Sequence, residues 1–398
     1  MIRPYINKII YAIIFLIIYA FIYPPASWKH HFRDMGYALV SIKTYKDGGN
    51  LFIINNTSHY DAPLVYPPTW VIFKYTSLSI DHLIPLALFF ISLFVLSSCL
   101  MIRIVSPFEM LITFLFMVSP AVLLGVERAN VDIIVFSLTA LFAFFLSKGK
   151  KIASVVAFFI LCFSATLKFY PIFLIIPWFF NTKQKSIKFS CLTLGFLIFV
   201  IYCFFFTKEN NYFLHHYPKP PDPSCVGLPI LLNSIRALKI NHFFIIITSF
   251  ILLLITVGIS NLFKSKTMTL RVGGLSKIYL FCGINILLGT FLLNSNFPYR
   301  LIFCLFLLPI TFEILRNKLT SRGARKIIIL VIFLLLVVLY LSDYNNYIYK
   351  NILHQSININ WLSLTSQLCL ILIFCIYLNA LLFLRISNDN RTTLLSMG

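Results

Sequence analysis

Apolar residues in this chain fall into runs too long and too closely spaced for a water-soluble core, and that constrains the fold before anything else does. A bilayer core about 30 Å thick takes about 17 to 25 apolar residues per crossing, with shorter pieces where helices pair or break. On that measure spans fall near 7–24, 82–102, 107–125, 131–147, 152–167, 170–180, 189–206, 242–263, 275–293, 300–315, 327–342 and 361–384. The expected fold class is an all-α polytopic membrane protein of about twelve transmembrane helices, a single integral domain over residues 1–398. Outer segments are expected over 25–80 and 207–241. The first run has basic flanks, Arg3 and Lys8, and no convincing small-residue cleavage site, so it reads as a retained anchor.

A net charge of +21 would suit a nucleic-acid partner, but the lysines and arginines sit mostly in short loops between apolar runs. No basic stripe with interleaved aromatics stands outside those loops, so nucleic acid is not an expected partner. With the N terminus in the cytoplasm, Lys148, Lys150, Lys151, Lys183, Lys185, Lys188, Arg316, Arg322 and Arg325 all fall inside, as the positive-inside rule requires. The acids divide the other way. Asp34, Asp47, Asp61, Asp81, Glu127, Asp132, Glu209, Asp222 and Asp343 fall outside, against Glu109, Glu313 and Asp389 inside. The eight histidines also lie outside or at that boundary, so polar chemistry is expected on the extracytoplasmic face. Of nine cysteines all but Cys225 lie inside apolar runs, which gives no disulfide framework.

The stretch from Glu127 to Pro171 concentrates the ionisable residues. ERANVDIIVFSLTALFAFFL and IASVVAFFILCFSATLKFYP are two apolar runs joined by SKGKK, so a helical hairpin returns Lys168 and Tyr170 to the side that holds Glu127, Arg128, Asn130 and Asp132, and the six are candidates for the floor of a substrate site. An ionisable residue at bilayer depth costs about 2.5–3.5 kcal/mol unless it pairs or meets a watery cavity. Arg128 and Asp132, four apart, would share a helical face as a self-satisfied pair or serve a site. Lys168 has no acid within four residues, so its charge either finds a phosphate or snorkels outward. A break at Lys168-Phe169-Tyr170-Pro171 is expected, because one helix over 152–180 would bury lysine and proline in its middle.

In the first outer segment Asp34 follows the first span by about ten residues, and a carboxylate near the surface can act as a general base on a sugar hydroxyl. Asp61 and Tyr66 later in that segment are candidates for substrate contact, Tyr66-Pro67-Pro68 forming an entry to the next membrane-associated run. Tyr37, Tyr45, Tyr60, Tyr66 and Trp70 either stack on sugar faces or form an interfacial belt. Arg300 in SNFPYRL is a second phosphate ligand or an anchor. The pairs His30-His31 and His215-His216 carry no carboxylate spacing that supports a metal, and none is expected. There is no P-loop, dinucleotide glycine fingerprint or Asp-x-Asp pair, which argues against a cytoplasmic nucleotide site, and no cofactor is expected.

Taken together, an aspartate after the first helix, a Tyr-Pro-Pro entry, the ERANVD helix start and a hairpin ending in Lys-Phe-Tyr-Pro resemble the GT-C glycosyltransferases. The likeness is to glycosyltransferase family 87, the polyprenol-phosphate-mannose-dependent mannosyltransferase-like proteins, over roughly the first half of the chain. The resemblance implies a GT-C-like bundle with a long first outer loop and its active site facing outward, and the abundance of Phe, Ile, Lys and Asn suits an AT-rich bacterial genome, so a bacterial inner membrane is expected. It implies an inverting hexosyltransferase that uses a polyprenyl-phosphate sugar donor and a glycan or glycolipid acceptor, usually without metal. Asp34 would match the family's first-loop catalytic aspartate and Lys168 the lysine of its Lys-x-Tyr-Pro motif. Where many relatives carry a His-Tyr pair late in the chain, this one has Tyr299-Arg300. Two other readings stay open: a transporter or flippase of lipid-linked sugars, and a polysaccharide polymerase or ligase.

Overall fold

The computed structural model describes residues 3–22, 32–48, 66–207, 227–228, 231–232, 273–293, 298–317, 322–351 and 364–377, which are helical wherever they are regular. Two units divide the chain, one of residues 1–118 and 122–219, the other of 119–121 and 220–398.

In the first unit the helices are α1 (Arg3–Ile22), α2 (Arg33–Lys46), α3 (Leu83–Met101), α4 (Pro107–Met117), α5 (Pro120–Glu127), α6 (Val131–Ser147), α7 (Lys151–Leu167), α8 (Ile175–Asn181) and α9 (Lys185–Phe205). Shorter 3-10 helices run over Pro68–Tyr75, Ile80–His82 and Tyr170–Leu174. Their boundaries follow local chemistry. α4 opens on a capping box, with the Glu109 amide donating to Ser106 Oγ at 3.2 Å while Glu109 Oε2 accepts from the Ser106 amide, and Pro107 takes the first helical position. α7 stops at Lys168, whose backbone is extended, and Pro171 begins the next turn. The expected break at Lys-Phe-Tyr-Pro is where the chain breaks.

The core of this unit is the α6–α7 hairpin with α3 laid against α6. Phe94 meets Phe136 edge-on at 5.0 Å, and Phe158 packs on Trp178 at 4.9 Å. Trp178 Nε1 donates to the Ser154 carbonyl at 2.8 Å, which lets a large amphipathic ring be fully buried.

The second unit contains α10 (Gly274–Leu293), a 3-10 helix over Pro298–Leu307 that continues into α11 (Leu308–Arg316), α12 (Arg322–Asn351) and α13 (Leu364–Tyr377). Glu313 of α11 caps the start of α10, accepting from the Gly273 amide at 2.8 Å and Ser276 Oγ at 2.5 Å. A Cβ built on Gly283 would lie 2.6 Å from Phe306 Cβ and 3.3 Å from the Phe303 carbonyl oxygen. Phe306 Cβ is tied to its backbone and cannot swing away, so Gly283→Ala is expected to destabilise this unit by about 1–3 kcal/mol through overpacking. Thermal unfolding of the detergent-solubilised variant measures it; an unchanged midpoint would mean that the two helices do not approach this closely.

Among the described residues four helices are long and apolar enough to cross a membrane: Ile80–Met101, Lys185–Phe205, Gly274–Leu292 and Pro298–Arg316. This is a helical membrane protein, and of the expected twelve spans the described residues show four of that length, or five if a bent pair counts as one. The run at 107–125 is a pair, α4 and α5, bent by 54° where Ser119 and Pro120 interrupt it. The run at 242–263 and most of the segment 207–241 lie outside the described residues, as do parts of 25–80. α6 and α7 have 17 residues each, about 26 Å at 1.5 Å per residue, which is short of a hydrocarbon core of about 30 Å. The hairpin turns at Lys148, Lys150 and Lys151, and its polar residues sit at the opposite end.

Candidate functional site

The site begins with a turn. α5 ends with the Asn130 amide donating to the Gly125 carbonyl and the Ala129 amide to the Val126 carbonyl, both at 3.0 Å, while Ala129 takes a left-handed backbone with φ of 44°. That is a Schellman ending, built on a buried alanine where glycine is usual, at a cost of about 1 kcal/mol. The next residue, Asn130, starts α6: its Oδ1 accepts from the Asp132 amide at 2.9 Å as an N-cap. One helix thus closes and another opens across three residues. Arg128 and Asp132 do not share a helical face, because the helix between them is interrupted.

The reversal gives Arg128 a different partner. Its Nε and one terminal nitrogen donate to Asp34 Oδ1 at 2.8 and 2.5 Å, and its carbonyl accepts from the Asp34 amide at 3.1 Å. The Asp34 amide is one of the four donors that the start of α2 leaves unsatisfied, so backbone and side chain dock that helix together. Asn130 Nδ2 donates to Asp34 Oδ2. Among the described residues three of about four acceptor positions on the carboxylate are in use, and the one that remains is on Oδ2.

At the other end of the hairpin Lys168 is 7% exposed. Its Nζ lies 2.8 Å from Asp132 Oδ1 and 2.9 Å from Asn130 Oδ1, so it neither snorkels nor waits for a partner. Tyr170 adds a third contact, its hydroxyl donating to Asp132 Oδ1 at 2.6 Å. The result is two ion pairs, Arg128 with Asp34 and Lys168 with Asp132, joined through one amide. Their formal charges cancel, which is how three nearly buried charges and one partly exposed guanidinium persist inside the protein.

Tyr66 and Trp70 are neither an interfacial belt nor an open stacking platform. Both are buried, with ring centroids 5.0 Å apart, and the Tyr66 ring lies 5.4 Å below Lys168 Nζ. Trp70 Nε1 donates to the Leu167 carbonyl at 3.1 Å and Thr69 Oγ1 to the Thr166 carbonyl at 2.5 Å. These carbonyls belong to the last turn of α7, which has no intrahelical donors left for them. The 3-10 segment Pro68–Tyr75 therefore caps α7 and fixes where Lys168 begins. The sequence signalled the need, a helix broken at lysine, but nothing in it pointed to Thr69 and Trp70, 97 residues away.

Of the other candidates, Glu127 ends α5 half-buried as an electrostatic neighbour of Tyr19 in α1. Arg300 belongs to the second unit, in the first turn of the 3-10 helix Pro298–Leu307. Asp61, Tyr60 and both histidine pairs lie outside the described residues. Tyr37 and Tyr45 are engaged nearby, Tyr37 accepting from Arg33 Nε and Tyr45 lying 4.8 Å below Lys74 Nζ. Among the described residues no three His, Cys, Asp or Glu side chains converge as metal donors.

Comparison of the chain with family models, curated proteins and solved structures returned no match.

Proposed function

We propose that the cluster is the active site of an inverting glycosyltransferase, which moves a mannose-like hexose from a polyprenyl-phosphate donor to a glycan or glycolipid acceptor on the outer face of a bacterial inner membrane. The observation that carries this reading is the meeting of Asp34 with Lys168 through Asn130, from segments far apart in sequence. The acceptor hydroxyl would donate to the remaining position on Asp34 Oδ2. As its oxygen attacks the anomeric carbon, its proton passes to Asp34. The bond from that carbon to phosphate oxygen breaks on the opposite face, and its electron pair leaves with polyprenyl phosphate. Phosphate departs without a protonating acid, so one carboxylate suffices, unlike the pair a glycosidase uses. Arg128, whose side chain is 29% exposed, and Lys168 would carry the charge that develops on the leaving group.

One observation favours a second reading. The four charges satisfy one another, as they would in a purely structural clasp between the first outer segment and the hairpin. The purified protein, incubated with a labelled polyprenyl-phosphate hexose and a glycolipid acceptor, decides. Release of free polyprenyl phosphate with inversion at the sugar is the expected result, whereas a clasp releases none and a transporter moves the donor intact.

A further inference from the structure

Asn130 is 1% exposed, and its amide has three partners of two kinds. Oδ1 accepts from the Asp132 amide and from Lys168 Nζ, each at 2.9 Å, which uses both of its lone pairs. Nδ2 faces Asp34 Oδ2. Only one orientation of the amide fits, because the reverse would set a nitrogen against Lys168 and an oxygen against a carboxylate. A residue so engaged has no acceptor capacity for a sugar.

We infer that Asn130 is a positioning residue, the neutral link that holds the Asp34 carboxylate and the Lys168 ammonium in one charge-coupled unit. The inference deepens the transferase reading and rests on it for its catalytic consequence. The amide supplies a donor to Asp34 and an acceptor to Lys168 at every pH without carrying charge. Leu or Ala supplies neither, and an ionised Asp supplies no donor.

That last point gives the test. Asn130→Asp is nearly isosteric and keeps an oxygen for Lys168 and the Asp132 amide, but it sets a second carboxylate against Asp34 Oδ2. Two carboxylates in hydrogen-bond contact share one proton, and the affinity of the pair for that proton rises. The charged groups around it are Asp34 from α2, Arg128 from the turn after α5, Asp132 from α6 and Lys168 from the end of α7, with Tyr170 on Asp132, Tyr66 below Lys168 and Glu127 one residue before Arg128. The cations oppose the shift and the acids favour it, and direct contact with Asp34 dominates. A group that holds its proton more tightly folded than unfolded stabilises the fold at low pH and loses that contribution as pH rises through the folded value.

Asn130→Asp is therefore expected to unfold close to wild type near pH 5.5 and at clearly lower temperature near pH 8.5. The ratio of its turnover to that of wild type should rise about tenfold from the alkaline to the acid end as the pair takes up its shared proton. Asn130→Ala, which has nothing to titrate, should show a constant ratio at every pH, with turnover lowered and KM for the donor nearly unchanged. A flat ratio of melting points for Asn130→Asp would overturn the coupling. A pH-dependent melting point in a protein that never transfers sugar would instead overturn the catalytic role and the transferase reading together, and leave the link as structure.

Discussion

Replacing Asp34 by asparagine is expected to lower sugar transfer by at least about a hundredfold, the lower range for loss of a general base. The substitution is not innocent, and the geometry says why. Asp34 accepts from Arg128 on one oxygen and from Asn130 on the other. An amide at position 34 must turn its own N–H groups toward one of these donors in either orientation. Arg128 also loses its carboxylate; removing one partner of a buried pair costs about 3–5 kcal/mol, and the lower end applies because water reaches this guanidinium. A loss of transfer in Asp34→Asn alone would thus mix chemistry with stability. Asp34→Glu separates them, since it keeps the charge for Arg128 but displaces the reacting oxygen by about one methylene. The expected result is a melting point near wild type with transfer still lowered by about a hundredfold. Wild-type turnover in Asp34→Asn removes Asp34 from the reaction.

The second large effect is at Lys168. Lys168→Met leaves Asp132, 1% exposed, with its main counter-charge gone, and an uncompensated buried charge costs about 3–5 kcal/mol. Transfer should fall by about 100- to 1000-fold, as when a group that stabilises charge in a transition state is removed. The informative variant is the double one. Lys168→Met with Asp132→Leu replaces a buried ion pair by apolar groups of similar volume, a change that is often neutral or stabilising. The melting point should recover most of what the single variant lost, while transfer should not return. Recovery of both would show that the pair only holds the hairpin end together, and would sink its assignment to the departing phosphate.

These variants probe a cluster whose members were nearly all visible in the sequence, although their pairing was not. Lys168 before Phe-Tyr-Pro announces a broken helix, and the helix ends there; that Asn130 caps the next helix came only from the structure. The hairpin itself was legible from two apolar runs and three lysines between them. The partners were misassigned. Spacing paired Arg128 with Asp132, and the turn at Ala129 undid that, because a left-handed alanine carries no signal of the kind a glycine would. Lys168 was expected to find a phosphate or to snorkel outward for want of a local acid, yet an acid stands 36 positions earlier, at the other end of the hairpin. The aromatic residues of the first outer segment were read as a sugar-stacking set or an interfacial belt, and Tyr66 and Trp70 proved to be packing and capping groups beneath the lysine.

What the sequence determined by itself is local. Apolar runs fix helices and the membrane as their solvent, lysine-rich loops favour one topology, and proline and asparagine set where helices stop and start; each depends on neighbours within a turn or two. What only the tertiary structure decided is which charge answers which. Asp34 and Arg128 are 94 residues apart, and Asn130 and Lys168 are 38 apart. Burial makes a partner obligatory for every such group, but the penalty is the same whichever partner supplies the relief. Only the packing of α2, the turn after α5 and the broken end of α7 against one another selects among them.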